Sequence, residues 1–396
     1  MARANGAQVG FPRLVILMSK AVFFLILLTF TLEVCARLDD WLRYDAPLLQ
    51  KYSSERLRGR DTSGKFSYNL PHARFEKWQH NSLGFRSSEL EVEKRQGITR
   101  IVCVGSSESY GLYESAGKEW PAQLQALVPP SRYQVVNASV VGLSLTSFRS
   151  YLQKHVFPLH PDIVVLVVNP IFYVTGQSRA ELSKSTPVQA AATAPRAPSV
   201  KERALTQLRI LPKLKQVVKQ AVSTAWPEAF KGYQLKSTLK QVQELERSLS
   251  GRKPMEAVPP AYLKSFEEEL TRTVELIRSH QARVILTSYP ALISPDNLSL
   301  YPEIFLDNRR FCIELSQAGL LDTFTSFNAA TERISRELGV TFVDTHLALP
   351  KSTEFFGDNV HYTDKGARIF AEQVLRGVDP SMLYPGRDAA RLPESR

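Results

Sequence analysis

Residues 99–111 read Thr99-Arg100-Ile101-Val102-Cys103-Val104-Gly105-Ser106-Ser107-Glu108-Ser109-Tyr110-Gly111. A short apolar run that ends in glycine suits a strand covered on both faces, the kind found in parallel sheets. Working outward, Leu124 and Leu127 share one face of a helix predicted over Trp120–Val128, and apolar runs follow at Tyr133–Ala138 and Asp162–Asn169. Strand, helix, strand, helix, strand is the rhythm of a parallel sheet with helices on both faces. It breaks near Gly176 and resumes with an amphipathic helix at Tyr262–His280, apolar at Leu263, Phe266, Leu270, Val274 and Ile277. A strand at Arg283–Ser288, a helix at Thr323–Leu338, a strand at Val340–Asp344 and a helix at Asp364–Arg376, N-capped by Thr363, complete the pattern.

The segment between the two halves differs in kind. Residues 183–200 are rich in Ala, Pro, Ser and Thr and read as a linker. From Lys201 to Lys253 twelve Lys and Arg face four Glu, a local +8 within a chain whose formal charge is +11. Such confinement points to a local face for an anionic surface and away from a basic fold throughout. Leu205, Leu208, Leu211, Val218 and Ala221 fall near helical spacing, and Pro212 is expected to kink or divide that helix. A solvated helical face, a membrane surface and a partner protein all suit the segment. Trp226, Phe230 and Tyr233 are candidates for a lid or for minor core.

At the amino end, residues 14–32 read LVILMSKAVFFLILLTFTL. A helix of that length spans about 28 Å, close to the hydrocarbon thickness of a bilayer, and Lys20 lies shallow enough to snorkel. Arg3, Arg13 and Lys20 ahead of an apolar core, with Val34-Cys35-Ala36 behind it, also fit a cleaved signal. Both readings export everything after residue 36, which argues against a nucleic-acid partner. Val34 before Cys35 makes a poor lipoprotein box. Cys35, Cys103 and Cys312 are odd in number and far apart, so neither a disulfide framework nor a Cys-rich zinc site is indicated. The expected organisation is therefore an anchor or signal segment (1–36), a polar, aromatic-dotted lead-in of unassigned structure (37–98), an α/β domain in two parts (99–182 and 262–380) around a linker and basic helical insertion (183–261), and a flexible tail (381–396).

In open parallel sheets, functional groups gather in loops at the carboxyl ends of the strands. Ser107 follows the first strand. A serine there needs a base, and Asp358-Asn359-Val360-His361 after the last strand supplies one. The three-residue spacing lets one loop present His361 to the hydroxyl while Asp358 holds the opposite ring nitrogen. Candidate oxyanion donors are the N–H of Ser107, the N–H of Gly142 and the side-chain amide of Asn169. Competing readings make Ser109 the nucleophile or His346 the base, although His346 lacks a carboxylate three residues earlier. Glu108 reads as a solvated loop residue, and Asp344 and Asp364 as structural.

The order Ser107, Gly142, Asn169, His361 resembles the SGNH/GDSL hydrolase superfamily, specifically its membrane-anchored bacterial members. The resemblance spans about residues 81–176 and 262–376 and extends to Asn81–Ser87 (NSLGFRS), Val343–Pro350 (VDTHLALP) and His361–Gly366 (HYTDKG). It implies a flavodoxin-like three-layer sandwich, no cofactor or metal, and hydrolysis of acyl esters, often acetyl groups on carbohydrate. It also implies a single-pass protein of the bacterial inner membrane with the catalytic domain on the periplasmic side. An O-acyltransferase using the same residues and a non-catalytic envelope binding protein are the alternatives. Two departures stand out: the family's Gly-Asp-Ser is Gly105-Ser106-Ser107, and its Gly-x-Asn-Asp is Val167-Val168-Asn169-Pro170. The second is expected to narrow the pocket and to hold Asn169 extended.

Overall fold

A computed structural model describes residues 10–64, 66–185, 208–247, 249 and 252–378. Most of the 183–200 linker, the start of the basic stretch and the 381–396 tail lie outside the described residues. The chain forms two compact units, Met1–Ser54 with Pro195–Phe230 and Glu55–Ala194 with Lys231–Arg396. The first contains helix α1 (Gly10–Tyr44), which passes without a break through residues 34–36. By length and composition α1 is compatible with a single-pass membrane anchor, and equally with a signal sequence.

The second unit begins with the lead-in from Glu55 onward. It forms two small antiparallel hairpins, β1 (Arg58–Arg60) with β2 (Ser67–Asn69) and β3 (Arg74–Phe75) with β4 (Trp78–Gln79). The apolar runs become five parallel strands: β5 (Thr99–Val104), β6 (Tyr133–Asn137), β7 (Ile163–Leu166), β8 (Arg283–Thr287) and β9 (Thr341–Val343). Their order across the sheet is β6-β5-β7-β8-β9, the flavodoxin-like arrangement, which reverses direction between β5 and β7. The register sets Val104 level with Leu166, so the residues leaving these two strands emerge side by side at that switch point.

In chain order the helices of the first half are α2 (Ser107–Tyr110), α3 (Trp120–Leu127), α4 (Leu145–Tyr151) and α5 (Pro170–Ser185). Helices α6 (Ile210–Ala225) and α7 (Pro227–Arg247) belong to the basic stretch. The later ones are α8 (Pro260–Ser279), α9 (Pro302–Arg309), α10 (Gln317–Leu338), α11 (Thr345–Ala348) and α12 (Asp364–Val378). Helix α12 packs on α3 and on β8 and β9, while α4, α5 and α10 pack around α8, giving three layers. The core follows the predicted faces: Leu270, Val274 and Ile277 of α8 and Phe370 and Val374 of α12 are inaccessible to solvent, as is Cys103 in β5.

Three expectations are corrected. Helix α5 runs past Gly176, which faces solvent, where a helical glycine costs only about 1 kcal/mol relative to alanine. Pro212 does not divide its helix, because it sits in the first turn of α6, where no N–H is needed for the helical ladder. The division falls instead at Trp226-Pro227. Of Trp226, Phe230 and Tyr233, the first and last are exposed and form no minor core, while Phe230 is half-buried.

Candidate active site

The turn after β5 is compact. A methyl group at Gly105 would run into Ser109, so only glycine lets the strand end approach the following helix so closely. Ser107 is the first residue of α2, and its N–H therefore has no acceptor within the helix. Ser107 is buried, yet its hydroxyl reaches a partner from the far end of the fold. His361 Nε2 lies 2.8 Å from Ser107 Oγ, across 254 residues of sequence.

The loop that presents His361 is tied locally. Gly357 N–H donates to His361 O at 2.8 Å and Thr363 N–H to Phe355 O at 3.0 Å. Asp358 Oδ1 accepts from the N–H groups of Val360 and His361, both at 2.9 Å, and Oδ2 lies 2.7 Å from His361 Nδ1. Burial pushes the Asp358 carboxyl up, but the hydrogen bonds from the His361 ring and these two N–H groups together outweigh it and hold it below its ordinary range. An ionised carboxylate only accepts, so Nδ1 carries the ring proton and Nε2 accepts from the Ser107 hydroxyl. Tyr113 stacks on the imidazole, with ring centroids 5.2 Å apart at 19°. Burial and the neighbouring Asp358 push its hydroxyl up to about 12.

Asn169 stands on the other side of the switch point and has two attachments. Its Oδ1 accepts from Phe172 N–H at 3.2 Å, capping α5, and its Nδ2 donates to Tyr289 Oη at 2.7 Å. Pro170 takes the first position of α5, where its fixed φ and missing N–H suit a helix start. The cap fixes which end of the amide is the donor. Tyr289 in turn donates to Glu108 Oε2 at 3.3 Å, and Glu108 Oε1 accepts from Ser106 N–H at 2.8 Å. Glu108 is therefore no solvated loop residue: it is fully buried, and burial raises its carboxyl pKa. Gly142 has a φ of +83°, and its N–H donates to Ser106 Oγ at 3.0 Å. Ser106 thus occupies one of the three candidate donors.

The lead-in braces the same turn. Arg86 donates to the carbonyls of Tyr110 and Gly111 and pairs with Glu119 at 3.1 Å, both side chains almost wholly buried. His80 Nε2 accepts from Tyr110 Oη at 2.9 Å. Burial depresses the His80 ring to about 4, which keeps that nitrogen free to accept. Ser87 Oγ accepts from Asn137 N–H at 2.7 Å, and Asn137 Nδ2 donates to Ser109 O at 3.0 Å. Beside Arg86, Glu114 is pushed up to about 8 by burial.

The competing candidates have other partners: Ser109 shares α2 with Ser107, but its Oγ lies 3.5 Å from Glu108 Oε1. Ser109 is fully buried, and His346 Nδ1 lies 3.3 Å from Lys351 Nζ. Asp344 caps α11 by accepting from Leu347 N–H, and Asp364 accepts from Ser115 N–H. Sequence reasoning missed Tyr113, Tyr289 and Arg86, and noted Ser106 only as a departure from Gly-Asp-Ser; Arg86 lay in the Asn81–Ser87 segment that it singled out. A cavity of about 380 Å3 beside the His361 loop is lined by Tyr113, Glu354, Thr363, Asp364 and Lys365 among others. Among the described residues, no cluster of metal-ligating side chains occurs.

No family model and no curated protein matches the chain. Among solved structures it is similar to an acetylxylan esterase from Geobacillus stearothermophilus, at 14% identity and a TM-score of 0.41, over 72% of this chain and 97% of that one. It is similar to an α/β hydrolase enzyme from the metagenome of Lake Arreo, Spain, at 14% identity and a TM-score of 0.40, over 70% and 94%. A third is a protein assigned to the G-D-S-L lipolytic family from Desulfitobacterium hafniense, at 13% identity and a TM-score of 0.38, over 70% and 98%.

Proposed function

We propose that the second unit is a serine esterase of SGNH type, tethered by residues 14–32 outside a bacterial inner membrane, with the basic stretch at 201–253 toward an anionic surface. The observation that carries the reading is the line Ser107 Oγ, His361 Nε2, His361 Nδ1, Asp358 Oδ2, with 2.8 and 2.7 Å at its two hydrogen bonds.

In this reading Ser107 Oγ attacks the acyl carbonyl carbon while its proton passes to His361 Nε2. Asp358 stabilises the imidazolium and holds the ring in place. The oxyanion receives the Ser107 N–H and the second N–H of the Asn169 amide, whose first is spent on Tyr289. Gly142 serves as a third donor once its N–H turns from Ser106 Oγ. Collapse of the tetrahedral adduct expels the alcohol, which takes the proton from His361. Water then repeats the sequence on the acyl-enzyme and frees the acid. The cavity beside the His361 loop is the proposed place for the alcohol part of the ester, and acetylated envelope carbohydrate is the proposed substrate class.

Replacing Ser107 by alanine is expected to abolish hydrolysis of p-nitrophenyl acetate and labelling by a fluorophosphonate probe, with the fold intact by circular dichroism. Full activity in Ser107→Ala would end the reading, and a wild-type protein inert to the probe would favour a binding protein. Product analysis with and without an acceptor glycan separates hydrolysis from acyl transfer.

A further inference from the structure

Helix α6 has eight apolar residues among its sixteen and no acidic one. At 100° per residue, Leu211, Leu214, Val217, Val218, Ala221 and Val222 fall on one arc of about 140°, and Lys213, Lys215 and Lys219 lie outside it. In a soluble protein such a face is buried against a core. Here no residue of α6 is buried: Leu214 is 49%, Val217 64% and Val218 52% exposed.

The start of α6 is fixed to the end of the apolar span. Ile210 N–H donates to Glu33 Oε2 at 3.0 Å. Lys213 pairs with Asp39 and, at 2.7 Å, with Asp40. The buried Arg209 lies 3.5 Å from Asp40, donates to Gln50 O at 3.2 Å and covers the Tyr52 ring. Glu33 directly follows the apolar residues 14–32, so its carboxylate marks the level at which a spanning α1 leaves the hydrocarbon. The apolar face therefore starts at headgroup depth. Lys215 and Lys219 are exposed, have no ion pair among the described residues and flank that face, as do the basic residues of helices that lie in anionic interfaces. Trp226, 64% exposed at the far end, is the residue type enriched at that depth.

We infer that α6 lies in the membrane interface as a second attachment, its apolar face among the acyl chains and Lys215 and Lys219 against anionic phospholipid headgroups. Cleavage after residue 36 would remove Glu33 from this junction, so the inference rests on α1 staying attached as the anchor.

The test places single spin labels on the full chain, in a Cys35→Ser background, in nanodiscs of phosphatidylglycerol and phosphatidylcholine. Labels go to Phe24→Cys, Gln216→Cys, Val217→Cys, Val218→Cys and Gln220→Cys. At Val217 and Val218 the ratio of oxygen to nickel-chelate collisions is expected to exceed that at Gln216 and Gln220 roughly threefold or more. It should fall when phosphatidylglycerol is left out or when Lys215→Glu and Lys219→Glu are introduced. Uniform water exposure along α6 with a lipid-embedded Phe24 label overturns this inference alone, whereas a water-exposed Phe24 label overturns the anchor itself. Labels at Val217 and Val218 that are shielded but broadened by one another across molecules would assign the face to a second copy, and would equally overturn it.

Discussion

The two halves of the candidate site are built by opposite means. The Asp358–His361 pair is local: Asp358 lies three residues from the imidazole, and its other oxygen accepts from the loop's own N–H groups, while Asn359 between them ties the loop to Leu292 and Ile293. The Ser107 turn has hydrogen bonds of its own, Ser106 N–H to Glu108 Oε1 and Tyr110 N–H to Ser106 O among them, but leans on distant residues as well. It is shaped by Arg86 and His80 from the lead-in, by Asn137 from β6 and by Tyr289 after β8. A local half loses chemistry when one residue changes but keeps its shape, whereas a braced half loses shape first.

Five substitutions bear on that contrast. Asp358→Asn should lower kcat about ten-thousandfold while moving the melting temperature little, since an amide still accepts from the same N–H groups; comparable losses of stability and rate would erase the distinction. Arg86→Met strands Glu119 in the interior without its cation, so about 3–5 kcal/mol of stability should go, read as a melting temperature roughly 10 °C lower. Glu114→Gln shows whether the brace titrates. The folded-state pKa of Glu114, about 8, is above the ordinary 4.5, so its stability contribution is whole below about pH 4.5 and drains as pH rises through 8. The wild type should lose roughly 2 kcal/mol between pH 6 and 8 that the Gln variant keeps, measurable by urea unfolding at each pH. Tyr289→Phe removes one partner of the Asn169 amide and should lower kcat about tenfold with KM nearly unchanged, against about 100- to 1,000-fold for Asn169→Ala. A Tyr289→Phe effect confined to KM would mean that the phenol meets substrate and does not orient the amide.

The same contrast explains what could be read from the amino acids alone. Strands such as Thr99–Val104 and Ile163–Leu166 announce themselves because burial on both faces demands an unbroken apolar run. The Asp358–His361 pair is visible because its geometry is local. The brace is not visible, since hairpins of two or three residues leave no period to detect and Arg86 acts through backbone carbonyls 24 and 25 positions away. Glu108 misleads for a related reason: a carboxylate among serines suggests solvent, and only the partners at Ser106 and Tyr289 make its burial tolerable. Helix α10 begins six residues before its apolar period suggests, because Ser316 caps a first turn containing a glycine.

One consequence of the topology concerns time. Ser107 is made early and His361 only after the fifth parallel strand, 254 positions later. A nascent polypeptide that stops short of this histidine carries the hydroxyl turn without the imidazole, so on the proposed function such a fragment would be silent toward esters until synthesis has passed the final strand.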